Sequence, residues 1–128
     1  MSHVRRADGG QAIVEFALAL PILMLMVMGL IAGGRLIYDY VTVGNAAREG
    51  VRTGIIASAT DAEILDAVDG HAGGLGPLRG RTTITPPTAR ESSAAVTVTV
   101  RYRFQSITPV GSLIGVIDLA GTSTGNVE

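Results

Sequence analysis

The sequence predicts an α+β protein. A long N-terminal membrane-spanning helix continues outside the membrane and packs on a small antiparallel sheet of about three strands, with one short extra helix. Three observations predict it. Residues 16–34 carry no charged side chain. Apolar and small residues then recur at helical spacing across 35–59. Near the C-terminal end, "AAVTVTVRYRF" (94–104) alternates apolar and polar residues with the period of a half-buried strand.

The totals narrow the function classes. At 128 residues the chain holds one domain at most. Aromatics make up 4% and tryptophan is absent, so a core outside the membrane must be small and aliphatic. Mean hydropathy is +0.40, high for a soluble protein, and the excess sits in one segment. A net charge of −1 lacks the basic footprint of a nucleic-acid binder, so no nucleic-acid partner is expected. The ten basic residues are all arginine. The absence of cysteine excludes disulfides, thiolate metal sites and cysteine nucleophiles. Stability of an exported part must therefore come from packing or assembly.

Taken in order, residues 1–10 form a short polar leader, basic at Arg5 and Arg6. The uncharged run of 19 residues that opens at Phe16 spans ~28 Å as a helix, close to the ~30 Å hydrocarbon layer of a bilayer. We read 11–34 as one transmembrane helix. Arg5 and Arg6 place its N-terminus in the cytoplasm and the C-terminal part outside. Pro21 removes one helix hydrogen bond and predicts a kink, which membrane helices tolerate where neighbours re-satisfy the backbone. Gly29 and Gly33 put two small residues on one face, where another helix can approach; glycine is also simply frequent in membrane helices.

The helix is expected to run from about residue 11 to the mid-50s, ~70 Å, with 35–58 as its extramembrane continuation. Leu36, Tyr40, Gly44, Ala47, Val51 and Ile55 form the predicted stripe against a small domain or a neighbouring subunit. Asp39, Thr42, Glu49 and Arg52 mostly fall away from it. Arg35 with Asp39, and Glu49 with Arg52, have helical pairing distance. Gly44, Gly50 and Gly54 each weaken the helix. Residues 59–128 make the small extracytoplasmic α/β domain. There Thr60 and Glu63 compose a capping box for a helix at about 61–70, ended by Gly70 or Gly73. "HAGGLGPLRG" reads as a flexible connector; without a lysine it is no phosphate cradle. "TTIT" (82–85) and an irregular segment at 116–128 supply the remaining strands.

The stretch "GGQAIVEFALALP" (9–21) places a carboxylate, Glu15, at the mouth of the span. No small-x-small cleavage site follows the apolar run, so an ordinary secretory signal does not fit. The arrangement resembles the class III signal of type IV prepilins and pseudopilins. That resemblance implies a cut by a prepilin peptidase after Gly10, a new N-terminus at Gln11, and Glu15 at the fifth position of the mature chain. With "VEFAL…LP", the Gly-Arg-Leu exit and "NAAREG", the sequence further resembles the TadE/TadF-like pseudopilins, or minor pilins, of the tight-adherence (Flp/Tad) pilus system. The resemblance implies a structural role rather than an enzymatic one, with other pilins, the Tad membrane assembly machinery and membrane lipid as partners, in the bacterial cytoplasmic membrane or a surface pilus.

A physical role for Glu15 follows from that cut. It would lie four residues, ~6 Å of helix, from the freed amine of Gln11. In a staggered bundle of like helices, it can meet the amine of another copy and set register. The plainer reading is a carboxylate reaching the cytoplasmic interface. Elsewhere, His3 and His71 lack metal-ligand company, Asp66 and Asp69 read as solvated helix charge, and no serine has a histidine in a recognisable acyl-transfer motif. No cofactor, metal or small-molecule substrate is expected. Arg48 and Arg52 read as the wet side of the helix, and Arg101 and Arg103 as the polar face of a strand. The competing class is an uncleaved, single-pass anchored subunit, small binding module or enzyme of an envelope complex unrelated to pili.

Overall fold

The computed structural model describes residues 8–56, 58–86, 93–106, 109 and 115–128. Helix α1 runs from Asp8 to Gly54, 47 residues, or ~70 Å. It starts slightly before the expected residue 11. It passes uninterrupted through Pro21, although the proline leaves the carbonyl of Ala17 without its helical donor. Helix α2 is Asp61–Gly70, and the strands are β1 (Thr82–Thr85), β2 (Ala95–Gln105) and β3 (Val116–Asn126). They form a meander in the order β1-β2-β3, antiparallel throughout.

The short helix begins where its capping box dictates. The Thr60 hydroxyl accepts from the Glu63 backbone N–H at 3.3 Å, and the Glu63 carboxylate accepts from the Thr60 N–H at 2.7 Å. Backbone and then hydroxyl donation from Thr60 hold the Glu63 carboxyl below its ordinary range. The cap sets the phase of α2 so that Ile64 and Val68 point inward, both fully buried.

The expected connector is more structured than its composition suggests. It contains two 3-10 turns, Gly73–Leu75 and Arg79–Arg81. Between them Leu78 is fully buried in the core. Asp69 holds this turn: its Oδ1 accepts from the N–H groups of Leu78 (2.7 Å) and Arg79 (3.0 Å). Its Oδ2 lies 3.6 Å from Arg79 Nε, and Asp66 pairs with the same guanidinium. Asp69, expected as solvated charge, is therefore an anchor for a loop that plugs the core, while Asp66 is exposed as expected. The expected irregular strand at 116–128 is also corrected, to a regular strand of 11 residues paired along its whole length with β2.

Val96, Val98 and Val100 turn to the helix and are fully buried, with Phe104 nearly so. They meet Val43, Ala46, Ala47 and Val51 of α1, closed by Ile64, Val68 and Leu78. This small aliphatic core is what a chain poor in aromatics can build. At roughly 25 cal/mol per Å² of apolar area, each of these valines and leucines contributes about 1.5–3 kcal/mol.

The expected stripe of α1 holds at Ala47 and Val51, which are buried, and at Ile55, which packs on the core, and fails at Tyr40. Buried positions are Ala32, Asp39, Val43, Ala46, Ala47, Gly50, Val51 and Gly54, with Leu36 half-buried. Tyr40 and Val41, by contrast, are 59% and 51% exposed. The reason is the size of what packs there. Sheet and α2 approach so closely that small residues form the contact, and Tyr40 is too large for it. Gly50 and Gly54 belong to this contact: a Cβ on Gly50 would stand 2.7 Å from Val68 Cγ2, and one on Gly54 3.0 Å from Ile64 Cδ1. Glycines that weaken the isolated helix are the seats of α2 and β2.

Candidate functional site

The N-terminal part of α1 carries the residues singled out for processing and assembly. Gly10, Gln11 and Glu15 are exposed on one continuous helix. Gly29 and Gly33 have open space where a Cβ would stand. Around them Phe16, Leu18, Ile22, Leu25, Met26, Leu30 and other large apolar residues are half or more exposed. The fold thus covers the upper half of α1 and leaves the lower half bare. It brings Glu15, Gly29 and Gly33 onto one rod but into no shared pocket. Their chemistry has to be completed by lipid or by other chains.

The helix has an apolar window of mean hydropathy 2.4 that is only 6% buried, so it is long and apolar enough to cross a membrane. The core cluster takes its first α1 residue at Val43, beyond the uncharged run 16–34.

A residue that periodicity placed on the wet side is buried. Asp39 is 3% exposed, and among the described residues its Oδ2 has no hydrogen-bond partner. Burial pushes its carboxyl above the ordinary aspartate range; the charge of Arg35 pulls it back in part, without the close ion pair that their spacing suggested. The sign follows. The folded state holds the proton more tightly than the unfolded chain, so stability falls as pH rises from the unfolded value near 3.8 through the raised folded pKa. Asp39→Asn should raise stability at neutral pH, because it removes a charge from a buried site at nearly constant volume. It should also remove the corresponding slope from a thermal-unfolding series in detergent across pH 4–8; superimposable pH profiles for the two proteins would refute this. The legible signal was a seven-residue recurrence, Ala32–Asp39–Ala46 with Leu36–Val43–Gly50, in which small residues count as packing residues.

Glu49 and Arg52 pair at 3.7 Å as their spacing suggested, and Arg48 and Arg52 are exposed. On the outer sheet face, Thr97 and Thr124 hydroxyls meet at 2.9 Å and those of Thr99 and Thr122 at 3.2 Å. Arg103 Nε reaches Asp118 at 3.3 Å, an exposed pair that adds little stability. A shallow cleft of about 730 Å³ lies between the second 3-10 turn and the free margin of β2, with the Arg81 guanidinium 5.7 Å over the Tyr102 ring. Its one lining carboxylate, Asp118, is engaged by Arg103. His71 sits at the C-terminal end of α2, its Nδ1 3.0 Å from the Ala67 carbonyl.

These features define a class by architecture: an α+β protein whose long, bare apolar helix carries a small domain of one short helix and a three-stranded sheet at one end. The family described as TadE-like protein matches residues 10–52, from Gly10 through the upper part of α1. The match covers the helix and stops before α2 and the sheet. No curated protein and no solved structure matches the chain.

Proposed function

We propose that this chain is a minor pilin, or pseudopilin, that acts structurally in the assembly, priming or tip formation of a Tad (Flp) adhesion pilus. The observation that carries the reading is the TadE-like match, which begins at Gly10 and contains Glu15, Pro21, Gly29 and Gly33. Residues 1–10 are the leader, removed by a prepilin peptidase on the cytoplasmic side. Residues 11–34 are anchor and assembly helix, 35–58 continue it outside, and 59–128 form the extracytoplasmic domain. The bare lower half of α1 supports this division, because an apolar rod without a partner in its own fold needs lipid before assembly and other pilins after it. The Tad membrane machinery moves it from one to the other, and no small-molecule substrate is involved.

Intact mass of the protein extracted from membranes tests the processing. The expected chain begins at Gln11, and Gly10→Ala retains the leader in cells with an active peptidase. Retention of the leader by the unsubstituted protein in those cells would sink the proposal.

A further inference from the structure

The domain at the upper end of α1 is close to the top of the span. Gly121 of β3 meets α1 at Val43 and Gly44, and Gly125 meets it at Val51 and Ile55. Those four strand residues advance ~13 Å, and the helical positions between the midpoints of the two contacts advance ~14 Å. β3 therefore runs alongside α1, nearly parallel to its axis. Five residues before Gly121, ~17 Å further down the same line, comes Val116, the start of the strand. That distance equals about eleven helical residues, so Val116 is level with Ala32 and Gly33.

Burial agrees independently. Ala32 is 7% exposed, although it belongs to the uncharged run 16–34. The rest of the fold thus covers α1 down into the segment that a bilayer would hold.

On the same level, the side of α1 turned away from the sheet is apolar and aromatic. Ile37, Tyr38, Tyr40 and Val41 are each more than half exposed, and so is Val116 on the sheet. Counting from Glu15 at one surface, ~30 Å of hydrocarbon ends near residue 35. The headgroup layer, ~6 Å thick on each side, then reaches about residue 39. Tyr40 at that depth matches the aromatic belt, in which a ring lies against the acyl boundary and its hydroxyl reaches polar headgroups; the Tyr38 hydroxyl lies beside Gly73 and leaves its ring exposed.

We infer that the extracytoplasmic domain is seated in the membrane interface before assembly. Val116 enters at the acyl boundary, and Ile37, Tyr38, Tyr40 and Val41 are embedded among lipid headgroups. The occupant of this apolar collar is lipid, because the collar begins within one helical turn of the bare apolar helix below it, with only Gly34, the exposed Arg35 and the half-buried Leu36 between them. The inference rests on the reading of 16–34 as a membrane span. Seating has a mechanical consequence: two attachments, helix and sheet end, hold the domain at a defined height, so extraction into a filament must release both.

The cysteine-free chain allows a direct test. Single substitutions Leu25→Cys, Val116→Cys and Thr124→Cys are spin-labelled in the full-length protein and reconstituted in phosphatidylcholine–phosphatidylglycerol vesicles. Accessibility to oxygen, which concentrates in lipid, is compared with accessibility to a water-soluble nickel complex. The expected order is oxygen-dominated at 25, oxygen-favoured at 116 and nickel-dominated at 124. A nickel-dominated label at 116 with an oxygen-dominated one at 25 overturns the seating while the span stands. A nickel-dominated label at 25 overturns the span and the seating together. Spin–spin broadening at 116 that disappears on dilution with unlabelled protein would assign the collar to a second copy and overturn the lipid occupant.

Discussion

Gly121→Val is expected to undock β3 from the long helix and produce the largest loss of stability of any single substitution in the domain. A Cβ at this position would stand 2.7 Å from the Val43 carbonyl oxygen and 2.9 Å from both the nitrogen and the Cα of Gly44. All three are backbone atoms of a helix, held by their own hydrogen bonds, and cannot rotate aside as a side chain does. Overpacking alone costs about 1–3 kcal/mol where side chains yield; here the strand itself must retreat, carrying Leu119 and Val127 out of contact. The Gly50→Ala substitution is the control. Its Cβ would stand 2.7 Å from Val68 Cγ2 and 3.1 Å from Val98 Cγ1, side-chain contacts of buried valines that yield at a cost of about 1–3 kcal/mol. The gain in helix propensity, about 1 kcal/mol, offsets part of the clash. Thermal unfolding in detergent, followed by circular dichroism, should show a large fall in midpoint for Gly121→Val and a smaller fall for Gly50→Ala. Equal, small effects would mean that β3 does not cross α1 at Gly44.

Glu15→Ala should leave trimming intact and abolish incorporation into the pilus complex. If the Glu15 carboxylate meets the Gln11 amine of another copy, its removal leaves a positive charge unpaired in a bundle surrounded by lipid. The lost ion pair should show as at least about ten-fold fewer incorporated subunits at the same expression, since each ~1.4 kcal/mol is a factor of ten. Quantitative immunoblotting of sheared filaments and of membranes separates the two steps. Glu15→Gln keeps the volume and removes the charge, so it should behave like alanine. Normal incorporation of either variant would assign Glu15 to the water-facing interface and remove it from assembly.

Helix α2 and the strands were legible because their signals are local. Thr60 and Glu63 satisfy each other's backbone within one turn, so three intervening bonds decide where the helix starts. The valines at 96, 98 and 100 alternate with polar residues, and a strand has only two faces to offer them. Asp39 shows where local reasoning fails. Apolar periodicity counts large side chains, and by that count Tyr40 belonged inside. The packing needed small residues instead, so the true stripe ran through Ala32, Ala46 and Gly50 and carried an aspartate with it. Leu78 was hidden in the same way. A leucine among glycines has no periodicity of its own, and it is buried because Asp69, nine residues earlier, captures the turn that contains it.

By itself, the sequence determined that a charge-free run of bilayer length leads into a longer helix and that a small half-buried sheet follows. Each of these depends on residues adjacent along the chain, whose spacing sets a face before any tertiary contact forms. The proposed processing stretch is equally local: Gly10, Gln11 and Glu15 lie within two helical turns. Only the tertiary structure decided which side of α1 faces the sheet, where Gly44 and Gly121 let two backbones touch, and how far down the helix the domain reaches. Those depend on the shapes of surfaces far apart in sequence. In a core without large aromatics, the closest approach of small residues, rather than the burial of large ones, sets the register between helix and sheet. For that reason Asp39 is buried and Tyr40 is exposed.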